Sequence, residues 1–302
     1  ALDHLNLQVG IGEVFGLLGP NGAGKSTTLK LLLRLIFPTD GVGRILGREL
    51  DDVAMHARIG YLPENPYFYD HLSAREFLNY AAELFGMAKP ERRRRAGELL
   101  ERLGLAASEN IALRKFSKGM LQRVGIAQAL INDPELVFLD EPMAGLDPLG
   151  RREVRELILE LKGAGKTVFF STHILSDAEM LCDRVAILDR GRLVGCGELR
   201  EILSLGVSAT EIVLENPSPS LLAGLQDSSH RIVRTGDRVR LEVSEEARVP
   251  RAIEVILQGG GKIVSLNPVK MSLEDYFMAR VGGASDPARK PRDVEISVQE
   301  KP

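Results

Sequence analysis

Short apolar runs separated by glycine, proline or charge alternate with helical patterns along the first two thirds of the chain. The runs at 13–18, 135–139 and 167–171 are short and mostly apolar without an alternating pattern, which is typical of strands buried on both faces of a parallel sheet. Residues 66–131 have a mostly helical pattern. The alternation predicts an α/β domain over residues 1–205, with a helical subdomain inserted at about 66–131.

Two of the predicted helix starts have the spacing of a capping box, in which a serine and a glutamate three residues later cap each other's backbone N–H groups. Ser73 and Glu76 have this spacing, and so do Ser176 and Glu179. We therefore expect one helix to start just after Ser73 and another just after Ser176.

The pattern changes after Leu205, where shorter strands and helices follow one another. The order β-α-β-β-α-β predicts a small ferredoxin-like α+β domain over residues 208–281. The segment 282–302 is polar and contains proline, so we expect a disordered tail. The predicted strands are 209–214, 230–234, 238–243 and 262–267, and the predicted helices are 218–225 and 247–258.

Length, composition and charge exclude several classes of protein. A chain of 302 residues is long enough for two domains. Its net charge of −3 argues against a nucleic-acid partner, which normally requires a basic face. No apolar run reaches the 18 residues that a membrane-spanning helix needs, so we expect a soluble chain. Two cysteines fit a reducing compartment and neither a disulfide framework nor a zinc site.

Residues 19–27, GPNGAGKST, lie between a predicted strand and a predicted helix, which is the context that a phosphate-binding loop requires. Glycines let the backbone N–H groups wrap around phosphate oxygens, and the helix start adds a positive dipole end. Lys25 is expected to bind the β- and γ-phosphates, and Ser26 to ligate Mg²⁺. The predicted nucleotide-binding residues are Gly19, Pro20, Asn21, Gly22, Ala23, Gly24, Lys25, Ser26 and Thr27.

Two acidic residues end the apolar run ELVFLDE. At the carboxyl end of a strand, Asp140 is placed to hold Mg²⁺ through water, and Glu141 to polarise the attacking water as a general base. An apolar strand that ends in acids often simply enters a solvated loop. The phosphate loop in the same chain favours the catalytic interpretation.

A second candidate anion site lies in the segment FSKGMLQR, where Ser117 and Gly119 open a predicted helix. A helix start with free N–H groups binds anions. Taken alone, Ser117 would more often be a simple N-cap, so both interpretations remain open.

The motifs GPNGAGKST, FSKGMLQR, LVFLDEP and AGLD, with a lone histidine after TVFFST, occur in the order and spacing of ABC-transporter ATP-binding subunits. The chain resembles that family over roughly residues 1–200. The resemblance implies a P-loop NTPase fold and an ATPase that uses Mg²⁺ and drives transport through a separate integral membrane permease. It also implies a peripheral position on the cytoplasmic face of the plasma membrane.

The resemblance further implies a head-to-tail dimer that encloses two ATP molecules. Ser117, Lys118 and Gly119 would then cap the γ-phosphate held by Lys25 of a second copy or of a similar subunit. Asp147 in AGLD resembles the residue that touches the partner, and His173 resembles the switch histidine that contacts the γ-phosphate.

The sequence departs from the family at one candidate metal ligand. The family commonly has a glutamine after the strand near residue 60, where this chain has Glu64. A carboxylate can also ligate Mg²⁺, but it adds negative charge. The segments YLPEN, SKGM and MSLEDYFM resemble the branch of daunorubicin and polysaccharide exporters, whose members have a small C-terminal domain. Regulation, dimer support and simple stabilisation all remain open for that domain.

Two other hypotheses about the function fit the sequence less well. Non-transport ATPases of this fold serve DNA repair or translation, but the repair type inserts a long coiled coil and the translation type carries two ATPase units. This chain has one set of motifs and no sustained heptads. A small-molecule kinase would leave FSKGM unexplained.

The chain opens at Ala1, directly in an amphipathic segment. Similar proteins have an upstream strand with an aromatic residue that stacks on adenine, whereas here Phe15, inside a predicted strand, is the aromatic side chain that precedes the phosphate loop. We therefore expect a truncation of roughly 15–20 residues and weaker nucleotide binding than in an extended version.

Overall fold

The chain folds as two compact units, the first formed by Ala1–Leu199 and the second by Arg200–Ala279. The predicted tail 282–302 lies outside the part of the chain that the structure describes. The structure is a computed structural model that describes residues 2–204, 207–225, 231–243, 246–270 and 272–281.

The first unit alternates strands and helices, as the apolar pattern predicts. Its strands are β1 (Val14–Leu18), β2 (Arg44–Ile45), β3 (Arg48–Glu49), β4 (Ile59–Leu62), β5 (Leu136–Asp140), β6 (Thr167–Thr172), β7 (Arg184–Asp189) and β8 (Arg192–Glu198). Its helices are α1 (Lys25–Leu32), α2 (Val53–His56), α3 (Ala74–Leu84), α4 (Lys89–Arg102), α5 (Lys118–Ala129), α6 (Pro148–Gly163) and α7 (Leu175–Leu181).

Six strands form the main sheet in the order β4-β5-β6-β1-β7-β8. The strands β4, β5, β6, β1 and β7 are parallel, which confirms the predicted α/β class. In the core, Phe15 on β1 is fully buried and stacks on Phe169 of β6 with ring centroids 5.3 Å apart. Phe15 is therefore part of the hydrophobic core, as its position inside a strand predicts.

The edge strand β8 is antiparallel to β7, which the sequence analysis did not predict. The two strands are joined by a tight hairpin whose central residues, Arg190 and Gly191, have φ values of 48° and 83°. Positive φ at both positions is typical of a two-residue hairpin turn that follows the twist of the strands. Arginine is unusual at the first of these positions, so the sequence signal was weak.

Between β4 and β5 the chain forms α3, α4, α5 and two short 3₁₀ turns. Helix α5 lies directly against β4 because both elements have a glycine at the contact. A Cβ on Gly60 would be 1.9 Å from the carbonyl oxygen of Ala129, and a Cβ on Gly125 would be 2.6 Å from Leu62. The backbones of α5 and β4 are therefore in close contact.

The predicted capping box at the start of α3 is confirmed, and the one predicted at the start of α7 is wrong. Ser73 accepts a hydrogen bond from the backbone N–H of Glu76, and the Glu76 carboxylate accepts one from the N–H of Ser73. Helix α7 instead begins at Leu175, after Ile174. The Thr172 hydroxyl accepts a hydrogen bond from the N–H of Ile174, so the helix starts before Ser176.

These two serines give a matched test of helix capping. We expect Ser73→Ala to lower the free energy of unfolding by about 1 kcal/mol, because the N–H of Glu76 loses its partner. The control is Ser176→Ala, which changes an exposed residue inside α7 and should alter stability by less than about 0.5 kcal/mol. Urea denaturation measures both changes. Equal effects of the two substitutions would contradict the capping geometry.

The second unit is a four-stranded antiparallel sheet in the order β10-β11-β9-β12, with helices on one face. Its order in the chain, β-α-β-β-α-β followed by one further helix, confirms the predicted ferredoxin-like arrangement. The hydrophobic core lies between the sheet and two of the helices. The elements are α8 (Leu199–Ser204), β9 (Val207–Glu215), α9 (Pro219–Leu225), β10 (Arg231–Thr235), β11 (Arg238–Val243), α10 (Val249–Gln258), β12 (Lys262–Lys270) and α11 (Leu273–Val281).

Candidate functional site

The phosphate loop joins the central strand β1 to helix α1, so the N-terminus of α1 lies at the carboxyl edge of the sheet. Gly22 and Gly24 have φ values of 83° and 111°, a left-handed conformation that glycine adopts without strain. No described side chain caps the start of α1, and its first turn has no acidic residue. The N–H groups at this helix start are therefore available to an anion.

Lys25 is the first residue of α1, and its side chain is 6% exposed. The Nζ atom donates hydrogen bonds to the carbonyl oxygens of Gly19 at 2.8 Å and Pro20 at 3.3 Å. The same atom lies 3.3 Å from Oε1 of Glu141. The ammonium group is therefore held by acceptors of the protein itself.

The ends of β5 and β6 carry a buried polar network. Asp140 is almost fully buried, and its Oδ1 accepts a hydrogen bond from the Ser171 hydroxyl at 2.5 Å. The same hydroxyl oxygen accepts a hydrogen bond from the backbone N–H of Glu141 at 3.0 Å. Burial raises the pKa of the neighbouring Tyr61 to about 12, and the negative charge of Asp140 contributes to that rise.

Glu141 turns away from the strand with a φ of 50°, which few residues other than glycine adopt. Its buried carboxylate has Oε1 beside Lys25 and Oε2 at 2.9 Å from Nδ1 of His173, whose side chain is half exposed. Predicted catalytic residues from three separate segments thus meet at one carboxylate. That arrangement can bind a polyphosphate and polarise a water molecule.

The segment FSKGM packs against the loop that follows β5. Ser117 caps α5 by accepting a hydrogen bond from the N–H of Met120 at 3.3 Å, so within this chain it acts as an N-cap. The aliphatic part of Lys118 lies over the backbone of Gly145, where a Cβ would be 2.7 Å from it. Ser117 and Lys118 are both exposed, and the predicted contact of Gly119 and its neighbours with a second copy is not tested within one chain.

Asp147 caps the helix that follows its loop, since Oδ1 accepts a hydrogen bond from the N–H of Gly150 at 2.9 Å. Glu64 lies two residues beyond β4 and is exposed. It makes no ion pair or hydrogen bond with another described residue.

Sequence reasoning missed two buried polar residues that hold the site together. Ser171 links Asp140 to the backbone of Glu141, as described above. Gln122 on α5 donates a hydrogen bond to the carbonyl oxygen of Pro142 at 3.0 Å. A polar residue at the end of an apolar strand, as in TVFFST, was the available signal for Ser171.

Together, the phosphate loop, the buried lysine and the acidic end of β5 define a P-loop nucleotide triphosphatase. The family model described as ABC transporter matches residues 2–144. An ABC transporter ATP-binding protein of Synechocystis sp. is 48% identical over 290 residues, covering 93% of this chain and 78% of the relative. The chain belongs to the family of ABC transporter ATP-binding proteins.

Two further relatives have names that state what they transport. The bacitracin transport ATP-binding protein BcrA of Bacillus licheniformis is 36% identical, covering 94% of both chains. A fluoroquinolones export ATP-binding protein of Mycobacterium tuberculosis is 41% identical over 204 residues, covering 67% of this chain and 66% of the relative.

A solved structure of an ATP-binding cassette resembles this fold with a TM-score of 0.62 at 30% identity, covering 66% of this chain and 90% of that one. It is a dimer in a post-hydrolysis state, bound to ADP and phosphate. The family resemblance that the motifs suggested is thereby confirmed, and the chain is an ATP-binding ATPase subunit of the ABC type.

Proposed function

We propose that the chain is the ATP-hydrolysing motor of an exporter and works with a separate integral membrane permease. The observation that carries the proposal is the Glu141 carboxylate, which lies 3.3 Å from the phosphate-loop lysine and 2.9 Å from His173. A binding module without hydrolysis would need the lysine but not this arrangement. The bacitracin transport relative supports a role in transport, and the fluoroquinolones export relative supports the direction.

In the first step, the phosphates of ATP bind the N–H groups of the phosphate loop, and Lys25 exchanges its internal acceptors for phosphate oxygens. The Ser26 hydroxyl and the Asp140 carboxylate provide hard oxygen donors, which are the ligands that Mg²⁺ prefers, so the residues present fit this ion. Glu64 is a third oxygen donor at the same edge of the sheet. When bound, Mg²⁺ neutralises charge on the phosphate oxygens.

In the second step, Glu141 accepts a proton from the water molecule that attacks the γ-phosphate. The Nδ1 atom of His173 holds the other carboxylate oxygen of Glu141 in place, and when both ring nitrogens carry a proton Nε2 donates to the γ-phosphate. The transition state gains charge on its equatorial oxygens, and Lys25 with the N–H groups of α1 stabilises that charge.

A second copy, or a similar subunit, completes each site in the proposed mechanism. Ser117, Lys118 and Gly119 of one chain cap the γ-phosphate bound by the other, and Asp147 contacts the partner. Exposure of Ser117 and Lys118 in the single chain supports this arrangement, and so does the dimeric ATP-binding cassette with the same fold. Closure on ATP and opening after hydrolysis give a two-state element that a permease can use.

We propose a peripheral position at the cytoplasmic face of the plasma membrane, through the permease. Within the described residues, no helix is long and apolar enough to cross a bilayer. The net charge of −3 disfavours a nucleic-acid partner. Residues 208–281 are proposed as an accessory domain that follows the ATP-binding domain in the chain, and we place the ATP-binding domain at 1–205.

The transport proposal is tested with the hydrophobic protein encoded next to this chain, if its reading frame has about six predicted spans. We expect the purified, nanodisc-embedded permease to bind the chain and to raise its ATPase activity severalfold. A Glu141→Gln variant is the control, because it should bind the permease without stimulation. ATPase activity that persists without any binding to that permease would contradict the transport role and leave the ATPase assignment standing.

A further inference from the structure

Outside the phosphate site, helix α7 carries a fully buried carboxylate that the mechanism above does not use. Asp177 is 0% exposed. Its Oδ1 accepts two hydrogen bonds from Arg155 of α6, from Nε at 3.0 Å and from Nη2. Its Oδ2 is buried and has no hydrogen-bond partner among the described residues.

A buried ion pair of this kind is weak evidence for a stabilising role. Burying the Asp177 carboxylate and about three quarters of the Arg155 side chain costs free energy, and the single hydrogen-bonded oxygen of Asp177 recovers part of that cost. An apolar pair of similar size is often equally stable or more stable in such a place. The pair is therefore better explained by the geometry that it fixes.

The position of the pair shows which geometry that is. Asp177 lies four residues after His173, on a helix of only seven residues that starts without a side-chain cap among the described residues. A helix this short does not hold its place without tertiary contacts. The contacts of α7 therefore determine where His173 lies.

The other partner of the pair is connected to the AGLD loop. Arg155 is two turns into α6, the helix that begins directly after Asp147. Its side chain lines a cavity of about 380 Å³ together with Arg151 and with Leu146 and Pro148, the two neighbours of Asp147. Arg155 thus lines the same cavity as the two neighbours of Asp147 and also pairs with Asp177 on the helix that follows His173.

We infer that Arg155 and Asp177 are positioning residues that fix His173 at hydrogen-bond distance from Glu141. The inference rests on the proposed roles of His173 and Asp147. The distance from Nδ1 of His173 to Oε2 of Glu141 is 2.9 Å, so a shift of α7 by about 1 Å removes the hydrogen bond. Movement of the Asp147 loop on dimer closure reaches His173 through the same pair.

The test separates position from stability by using five variants of the full chain, one of which is His173→Ala. Asp177→Asn keeps the shape and weakens the pair, and Asp177→Glu keeps the charge. The double variant Arg155→Leu/Asp177→Leu replaces the ion pair by an apolar contact. The control is Arg152→Leu/Glu156→Leu, which removes an exposed ion pair from the same helix.

We expect Asp177→Asn and the Arg155/Asp177 double variant to lower kcat of ATP hydrolysis about tenfold, because small misplacements of catalytic groups are costly. KM should stay within about twofold, since neither residue belongs to the proposed nucleotide-binding set. Asp177→Glu should recover most of the activity. The double variant should regain the wild-type Tm without regaining kcat, and the control variant should keep both.

Two results would overturn the inference. A double variant with wild-type Tm and wild-type kcat would show that the pair only stabilises the fold. Unchanged kcat in Asp177→Asn, with a large loss in His173→Ala, would have the same meaning. If His173→Ala itself keeps full activity, the proposed role of His173 is wrong and the positioning role fails with it.

Discussion

Replacing Lys25 by alanine is expected to abolish measurable nucleotide binding and to lower ATPase activity at least about hundredfold. The ammonium group of Lys25 lies at the phosphate loop, where it is buried and paired with Glu141. Charge-assisted hydrogen bonds to phosphate are strong in a site that excludes water, and alanine provides no replacement. Isothermal titration with ATP and a phosphate-release assay measure the two effects.

The matched control for this substitution is Lys30→Ala on the same helix. Lys30 is exposed, so the variant should bind ATP as the wild type does. Loss of Lys25 also leaves the Glu141 carboxylate without its cation, which destabilises a buried charge. Thermal unfolding must therefore confirm that the Lys25→Ala protein is folded at the assay temperature. Undiminished ATP binding by a folded variant would refute the assignment of the phosphate loop.

Replacing Glu141 by glutamine is expected to lower the rate of hydrolysis by about 10²–10⁴, because the amide cannot accept the proton of the attacking water. ATP binding should persist, so a dimer is expected to accumulate with ATP and Mg²⁺. Size-exclusion chromatography with light scattering measures the dimer. A monomer at every ATP concentration would contradict the head-to-tail arrangement.

The same variant is expected to bind ADP more tightly than the wild type, by about threefold to tenfold. In the free chain Oε1 of Glu141 competes with phosphate for the Lys25 ammonium group, at a separation of 3.3 Å. Glutamine keeps the shape and removes the charge, so phosphate meets less competition. Glu135→Gln is the control, since Glu135 lies just before the same strand and pairs with Arg58. Equal ADP affinities of Glu141→Gln and wild type would show that the contact between Lys25 and Glu141 does not affect ADP binding.

The sequence alone predicts those features of the site that depend on residues adjacent in the chain. The phosphate loop needs only its own nine residues and their flanking strand and helix, so its pattern is enough to predict it. The contact between Lys25 and Glu141 could not be predicted, because it joins distant segments through a backbone of positive φ at Glu141. The roles of Ser171 and Gln122 could not be predicted either, because they depend on which strands and helices lie side by side.

The capping-box pattern gave a wrong prediction at one helix start, where contacts with neighbouring residues decide where the helix begins. Ser73 and Ser176 are both followed by a glutamate three residues later, but of these two serines only Ser73 caps a helix. Helix α7 starts immediately after β6, and the hydroxyl of Thr172 already binds the N–H of Ile174. The alternation of β and α elements was more robust in both units, because it reflects burial over many residues.

The contact between α5 and β4 through Gly60 and Gly125 makes α5 a lever arm. The helix has 12 residues and is therefore about 18 Å long, with the pivot toward its C-terminal half and Ser117 at the far end. A swing of about 10° around the C-terminal end moves Ser117 by about 3 Å, which is roughly the length of one hydrogen bond. In the proposed dimer, a rotation that is small at the sheet would then be enough to engage or release the phosphate bound by the partner.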